Sequence, residues 1–151
     1  MVLADVDGVL TDGGMYYTDK GDIMKKFFTR DGMGVTLLRK NNIPTILITK
    51  EKTIMVKQWA KKMKIEKLYD GIVQKETILD TICKTYKVTP KQVAYIGDDV
   101  NDIGLLKLVG LSATPADGIK EAKRICHYVC EAKGGFGAFR ELADLVLLSK
   151  T

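Results

Sequence analysis

Apolar runs of strand length recur along this chain, and the segments between them carry apolar residues at helical spacing. Val2 to Val6, Ile43 to Ile48 and Val93 to Ile96 read as strands buried on both faces, with shorter candidates at Lys67 to Tyr69, Leu111 to Ala113 and Tyr128 to Val129. Val35 to Lys40, Thr53 to Met63, Glu76 to Tyr86 and Asn101 to Val109 read as helices. Ile78, Ile82 and Tyr86, with Leu79 and Cys83 beside them, form one buried stripe. Thr89-Pro90 reads as a cap and first turn, and Gly110 follows the last apolar residue of its helix. Strands alternating with helices predict a mostly parallel sheet with helices on both faces, a single Rossmann-like α/β domain spanning residues 1–151.

One segment interrupts that rhythm. Met15 to Thr18 and Ile23 to Phe28 are β-prone runs separated by Asp19-Lys20-Gly21-Asp22, so residues 14–28 predict a β-hairpin where a crossover helix would be expected. Tyr16, Tyr17, Phe27 and Phe28 give it a large apolar surface. A lone hairpin is marginal in water, so that surface needs the domain core or another subunit against it.

Composition narrows the picture. The 151 residues suffice for one domain with a proper core, and 46% hydrophobic content fits a globular protein. No apolar run approaches the ~20 residues that cross a membrane. The N-terminus lacks the pattern of a secretion signal, so the default expectation is a cytoplasmic protein without a membrane partner. The net charge of +5 is spread over several segments. Its densest group (Lys57, Lys61, Lys62, Lys64 and Lys67) suits the solvated side of a helix rather than a nucleic-acid surface. The excess also suits an anionic small substrate. Three cysteines make an odd set, unlike a disulfide framework, and Cys126, Cys130 and their neighbour His127 read as packing rather than as a metal cluster.

The strongest chemical signal is Asp5-Val6-Asp7-Gly8-Val9-Leu10-Thr11-Asp12-Gly13. Here a buried strand ends in two carboxylates, with glycine directly after. Ligands of open α/β sheets sit beyond the carboxyl ends of the strands, and Gly8 lets the chain bend so that both acids aim at one point. Unpaired, such acids repel each other; a divalent cation resolves the conflict, and hard oxygen ligands suit Mg2+. Capping of a turn is the plain alternative. A second buried strand runs into Gly97-Asp98-Asp99-Val100-Asn101-Asp102. One of these acids caps the following helix, but three caps are excessive, so a cation shared between Asp5, Asp7 and Asp98 explains more. Thr49 ends a third strand and offers a hydroxyl and amides to a phosphate. Lys75 precedes a helix, where its charge could neutralise a phosphate oxygen. Each of these two is an ordinary surface feature when taken alone.

In order along the chain, these motifs resemble the haloacid dehalogenase superfamily of phosphohydrolases. The resemblance covers nearly the whole sequence. It implies Asp5 as nucleophile and Asp7 as general acid/base, with Thr49 and Lys75 completing the catalytic set. It further implies that Mg2+ is held by Asp5, the carbonyl of Val6 and Asp98 around Asp7, with Asp99 and Asp102 as outer or occasional ligands. A carboxylate nucleophile divides phosphate-monoester hydrolysis into formation and breakdown of an aspartyl phosphate. For the leaving alkoxide, Asp7 must start protonated.

Only a hairpin follows the first motif, and Thr49 to Lys75 leaves room for one helix and one strand, so the chain is similar to capless members. Asp5 to Gly13, Arg30-Asp31-Gly32-Met33-Gly34, Ala94 to Asp102 and Gly134 to Glu141 resemble the subfamily that dephosphorylates 2-keto-3-deoxy sugar acids. That likeness implies a homotetramer assembled through the hairpins, in which neighbours help cover each site. It also implies substrate contacts from Gly13, Arg30, Asp31, Thr49, Lys50 and Glu51, with the tail glycines and Arg140 approaching a neighbour's substrate. Enzymes acting on octulosonate 8-phosphate usually carry Gly-Arg after the threonine. Here Lys50-Glu51-Lys52-Thr53 stands instead, and Glu51 to Thr53 is similar to relatives acting on nonulosonate 9-phosphates. The nine-carbon substrate is therefore slightly favoured. A receiver domain is the non-enzyme rival, but it places its phosphorylated Asp on the third strand, where this chain has none. A catalytically quiet oligomerisation module is the other, and it has no need of all five of Asp5, Asp7, Thr49, Lys75 and Asp98.

Overall fold

The computed structural model describes residues 1–150. In chain order the strands are β1 (Val2–Ala4), β2 (Tyr16–Thr18), β3 (Gly21–Met24), β4 (Thr45–Ile48), β5 (Lys67–Tyr69), β6 (Ala94–Ile96), β7 (Leu111–Thr114) and β8 (Tyr128–Val129). The helices are α1 (Thr29–Lys40), α2 (Ile54–Met63), α3 (Leu79–Tyr86), α4 (Ile103–Leu108), α5 (Lys120–Ile125) and α6 (Ala138–Leu148). Six strands form one parallel sheet in the order β5-β4-β1-β6-β7-β8, and β2 pairs with β3 as a separate antiparallel hairpin. This is the expected α/β architecture.

From β1 the chain builds outward through β4 to β5, then returns to place β6 on the other side of β1. That reversal opens a crevice beyond the carboxyl ends of β1 and β6, the usual ligand position in such sheets. The register sets the level: Ala4 lies opposite both Leu47 and Ile96, so Asp5, Ile48 and Gly97 follow side by side.

Both sheet faces are dry, which is why the strands read as continuous apolar runs. Val2, Ala4, Leu47 and Ile96 join Val35, Leu38, Val56, Phe139 and Leu142 from α1, α2 and α6. On the opposite face Leu3, Ile46, Ile48 and Tyr95 meet Leu79, Ile82, Leu105 and Ala122 from α3, α4 and α5. Each fully buried Leu or Ile contributes about 2 kcal/mol through removal from water.

Helix α1 starts well before the predicted Val35. Gly32 and Gly34 hide its period, and both serve close packing. A Cβ on Gly34 would come within 3.3 Å of Arg140 and Ala143 on α6, and one on Gly32 within 2.8 Å of Met63. Helices α5 and α6 were not anticipated: α5 is a short, mostly charged segment that buries only Ala122, and α6 lies behind a glycine-rich loop. The predicted Glu76 and Asn101 helices begin instead as 3₁₀ turns, Lys75–Ile78 and Val100–Asp102.

The hairpin is shorter than expected. Its turn is Asp19-Lys20, while Gly21 and Asp22 belong to β3. Phe27 lies outside the strands; it bridges Thr11, and its ring stacks on Trp59 at 4.7 Å. The exposed apolar surface comes from Met15, Tyr17, Ile23 and Met24 instead. Among the described residues, no helix is long and apolar enough to cross a membrane.

Candidate active site

Beyond β1 the chain turns at once. Val9, Leu10 and Thr11 all donate their amides to the carbonyl of Val6, at 3.2, 2.9 and 3.1 Å, closing a compact loop around Gly8 (φ +86°). A Cβ on Gly8 would strike the Asp98 carboxylate, so only glycine lets the two acidic strand ends meet. The turn also corrects one expectation: the Val6 carbonyl is fully occupied inside the loop and cannot serve a metal. The carbonyl of Asp7, next in the chain, takes no hydrogen bond among the described residues.

The three acids after β6 divide their work. Asp99 is exposed and accepts the Val100 amide at 2.7 Å, capping the 3₁₀ turn. Asp102 is fully buried: Oδ2 accepts the amides of Asp98 and Asp99 at 2.8 and 3.1 Å. Its Oδ1 accepts the Lys75 ammonium and the Tyr95 hydroxyl, each at 2.6 Å. Four donors fill that carboxylate's capacity, so Asp102 organises the site and has no lone pair left for a metal. Asp98 is the acid left over, and its Oδ1 is buried without a hydrogen-bond partner.

Lys75, an ordinary helix-start lysine in sequence, is 0% exposed and lies between Asp5 and Asp102, donating to Asp5 Oδ1 at 2.6 Å. Burying an ion costs several kcal/mol unless it is paired, and two carboxylates provide the pairing. One ammonium still faces three acids, because oxygens of Asp5, Asp98 and Asp102 lie within 4.8 Å of one another. Burial, reinforced by Asp5 and Asp102, pushes the Asp98 carboxyl up to about 8. Burial likewise raises Asp5 to about 6 against the pull of Lys75. Such a cluster holds protons where a divalent cation can replace them. No other trio of acidic, cysteine or histidine ligands converges among the described residues, and the three cysteines are free.

Asp7 stands beside this cluster. The Lys25 ammonium donates to its Oδ1 at 2.7 Å and the Thr11 hydroxyl approaches at 3.4 Å, while Oδ2 is buried without a partner. Thr49 is buried at the end of β4, where its amide donates to Tyr69 and its Oγ1 accepts the Glu51 amide at 3.3 Å. Asp5, Asp7, Thr49 and Asp98 line a cleft of about 300 Å³, with Lys50, Glu51, Val73, Asp99, Val100 and Asn101 around its mouth.

The remaining predicted residues lie elsewhere. Gly13 is exposed on the first loop, its amide donating to Thr11 Oγ1, and Arg30 is exposed on α1. Asp31 is buried under α6 and accepts the Arg140 amide at 2.9 Å. The Arg140 guanidinium pairs with Asp144 at 2.8 Å on its own helix. Within one chain, then, Asp31 and Arg140 join α1 to α6 rather than facing the cleft. Gly134 and Gly135 press against the loop containing Gly8, Thr11 and Asp12, where a Cβ on either would collide with backbone. Lys25 and Tyr95 were missed because no local pattern marks them. Tyr95 reads as one more apolar strand residue and Lys25 as a hairpin polar residue, and their partners come from other motifs.

Residues 47–137 match the haloacid dehalogenase-like hydrolase family. The chain is 37% identical over 150 residues to the 3-deoxy-D-manno-octulosonate 8-phosphate phosphatase of Yersinia pestis, covering 99% of this chain and 80% of that protein. With the Haemophilus influenzae phosphatase of the same name it shares 35% over 146 residues, 97% of this chain and 81% of the relative. A cobalt-bound structure of the Haemophilus influenzae enzyme superposes with a TM-score of 0.95 at 34% identity, over 99% of this chain and 87% of that one. The Moraxella catarrhalis phosphatase, solved with magnesium, phosphate and its sugar acid, gives 0.94 at 31% identity, over 98% of this chain and 85% of its own.

Proposed function

This chain belongs to the haloacid dehalogenase-like hydrolase family, and from that premise we propose that it is a Mg2+-dependent phosphatase of a 2-keto-3-deoxy sugar acid, with 3-deoxy-D-manno-octulosonate 8-phosphate as substrate. The observation that carries the reading is the buried Lys75 fixed between Asp5 and Asp102, with Asp98, whose Oδ1 is buried without a hydrogen-bond partner, beside them. Three acids crowd around one ammonium, and protons fill the gap that a divalent cation could take.

Asp5, Asp98 and the Asp7 carbonyl are the oxygens left to hold the metal, and Mg2+ there would offset the charge of the phosphoryl oxygens. A carboxylate oxygen of Asp5 attacks phosphorus as the bond to the sugar oxygen breaks. Asp7 gives that oxygen its proton, so the sugar acid leaves as an alcohol. A water oxygen then attacks the phosphorus of the aspartyl phosphate, Asp7 takes its proton, and Asp5 departs as carboxylate. Lys75 and Thr49 hold charge and position around the phosphoryl group. Asp102 and Tyr95 fix Lys75.

The relatives' names favour an eight-carbon acid. Glu51 at the cleft mouth keeps the nonulosonate 9-phosphate reading as the second candidate, because an acid there repels a substrate carboxylate unless a cation intervenes. Met15, Tyr17, Ile23 and Met24 supply an apolar face for assembly into a homotetramer. Phosphate release from both sugar-acid phosphates, measured with and without Mg2+, tests the function. Metal-dependent turnover of the eight-carbon ester is expected; no release from either ester contradicts it. Light scattering tests the assembly, and a stable monomer counts against it.

A further inference from the structure

The hairpin reaches the active site of its own chain. The Lys25 side chain follows β3, is 4% exposed, and lies between Asp7 Oδ1 at 2.7 Å and Asp22 Oδ2 at 3.3 Å. An ammonium this buried holds its place because two carboxylates face it. The hairpin has other anchors: Phe27 bridges Thr11 and stacks on Trp59, and the Tyr16 hydroxyl donates to Asp12 at 3.1 Å. Lys25 is therefore not needed to dock the hairpin. It supplies the short, charged contact to Asp7 Oδ1, to which the Thr11 hydroxyl adds only a 3.4 Å approach. The other oxygen, Oδ2, is buried and has no partner. A freely rotating carboxylate would sample several orientations beside the cleft, whereas this one is pinned through Oδ1.

We propose that Lys25 is a positioning residue that clamps Asp7 Oδ1 and so fixes the orientation of the Asp7 carboxylate towards the substrate's leaving oxygen, making the β2–β3 hairpin part of the catalytic apparatus of its own subunit. The inference rests on the phosphatase reading above, with Asp7 as proton carrier. Leaving-group chemistry sets its signature. A sugar alkoxide needs a proton to depart; p-nitrophenolate does not, so its ester depends on Asp7 only when water attacks the aspartyl phosphate.

The test compares K25M, K25Q and K25R with the unaltered protein on an alkyl sugar-acid phosphate and on p-nitrophenyl phosphate. Misplacing a catalytic group costs on the order of 10²-fold. K25M is expected to lose about that much kcat on the alkyl ester with KM within about twofold, and roughly tenfold less on the aryl ester. K25R should recover most of the loss, whereas K25Q, which keeps a polar contact without the charge, should resemble K25M. Equal losses on the two esters, or none on either, overturn the proposal. A crystal structure of K25M supplies the readout that does not depend on turnover: the Asp7 carboxylate is expected to rotate, with the rest of the hairpin in place. An unmoved Asp7 overturns the proposal whatever the kinetics. If the unaltered protein hydrolyses neither ester while Asp7 still rotates, the phosphatase reading fails and the clamp stands.

Discussion

At the ends of β1 and β6, Asp5, Lys75 and Asp102 are all buried, and every oxygen of Asp102 has a donor. At the mouth of the same cleft Lys50, Glu51, Val73 and Val100 are exposed. The floor is over-determined and the mouth is loosely held. Low dielectric makes each charge on the floor strong and its geometry critical, while screening makes each charge at the mouth weak and tolerant of change. In the reading proposed above, the general chemistry of phosphoryl transfer belongs to the floor. In the same reading, choice among sugar acids belongs to the mouth, where substitution costs the fold little.

Substitutions on the floor should have the largest effects. D5N removes the proposed nucleophile with almost no change of shape; turnover should fall about 10⁴-fold or more with an unchanged circular dichroism spectrum. Retained activity would move the nucleophile elsewhere. K75M leaves Asp5 and Asp102 buried without their cation. Breaking a buried pair in this way costs about 3–5 kcal/mol, and a thermal melt should fall by roughly 10 °C alongside the loss of turnover.

The floor should also show itself through pH. Asp98 and Asp5 are raised to about 8 and about 6 from an ordinary 3.8, so the folded chain without metal binds more protons than the unfolded chain between those values. Stability then falls as pH rises from about 4 to 8, since it rises with pH only where the unfolded state holds the extra protons. Thermal melts in chelator should show that decline, and D98N or saturating Mg2+ should reduce it, leaving the share of buried Asp31, which is likewise raised to about 6. A metal-free melt that climbs across this range contradicts the crowding of acids.

The mouth should respond least. E51R, which supplies a cation for a substrate carboxylate, should shift the ratio of kcat/KM between eight- and nine-carbon esters by about tenfold towards the eight-carbon ester. An unchanged ratio would place selectivity elsewhere.

The two regions also differed in how readable they were. Strands buried on both faces announce themselves as apolar runs, and acids at their ends stand out, so β1, β4, β6, Asp5, Asp7 and Asp98 were legible. Lys75 could be named by its order in the chain, but its complete burial could not, because that depends on Asp5 and Asp102 converging from distant motifs. Lys25 and Tyr95 gave no local signal for the same reason. Helix α1 was obscured by Gly32 and Gly34, whose purpose lies in the helices they pack against. The Val6 carbonyl was misassigned because a turn's internal hydrogen bonds are invisible until the turn is seen. Phe27 and Phe28 read as strand residues, yet the strand ends at Met24 and Phe27 turns inward to stack on Trp59.

The role of Asp5 can be tested by rapid acid quench of a turnover reaction with phosphorus-labelled 3-deoxy-D-manno-octulosonate 8-phosphate and Mg2+, followed by mapping of the label. The expected result is a hydroxylamine-sensitive phosphoryl group on the peptide that carries Asp5, absent when the metal is chelated. Rapid phosphate release with no labelled peptide, or with the label on another residue, would contradict it.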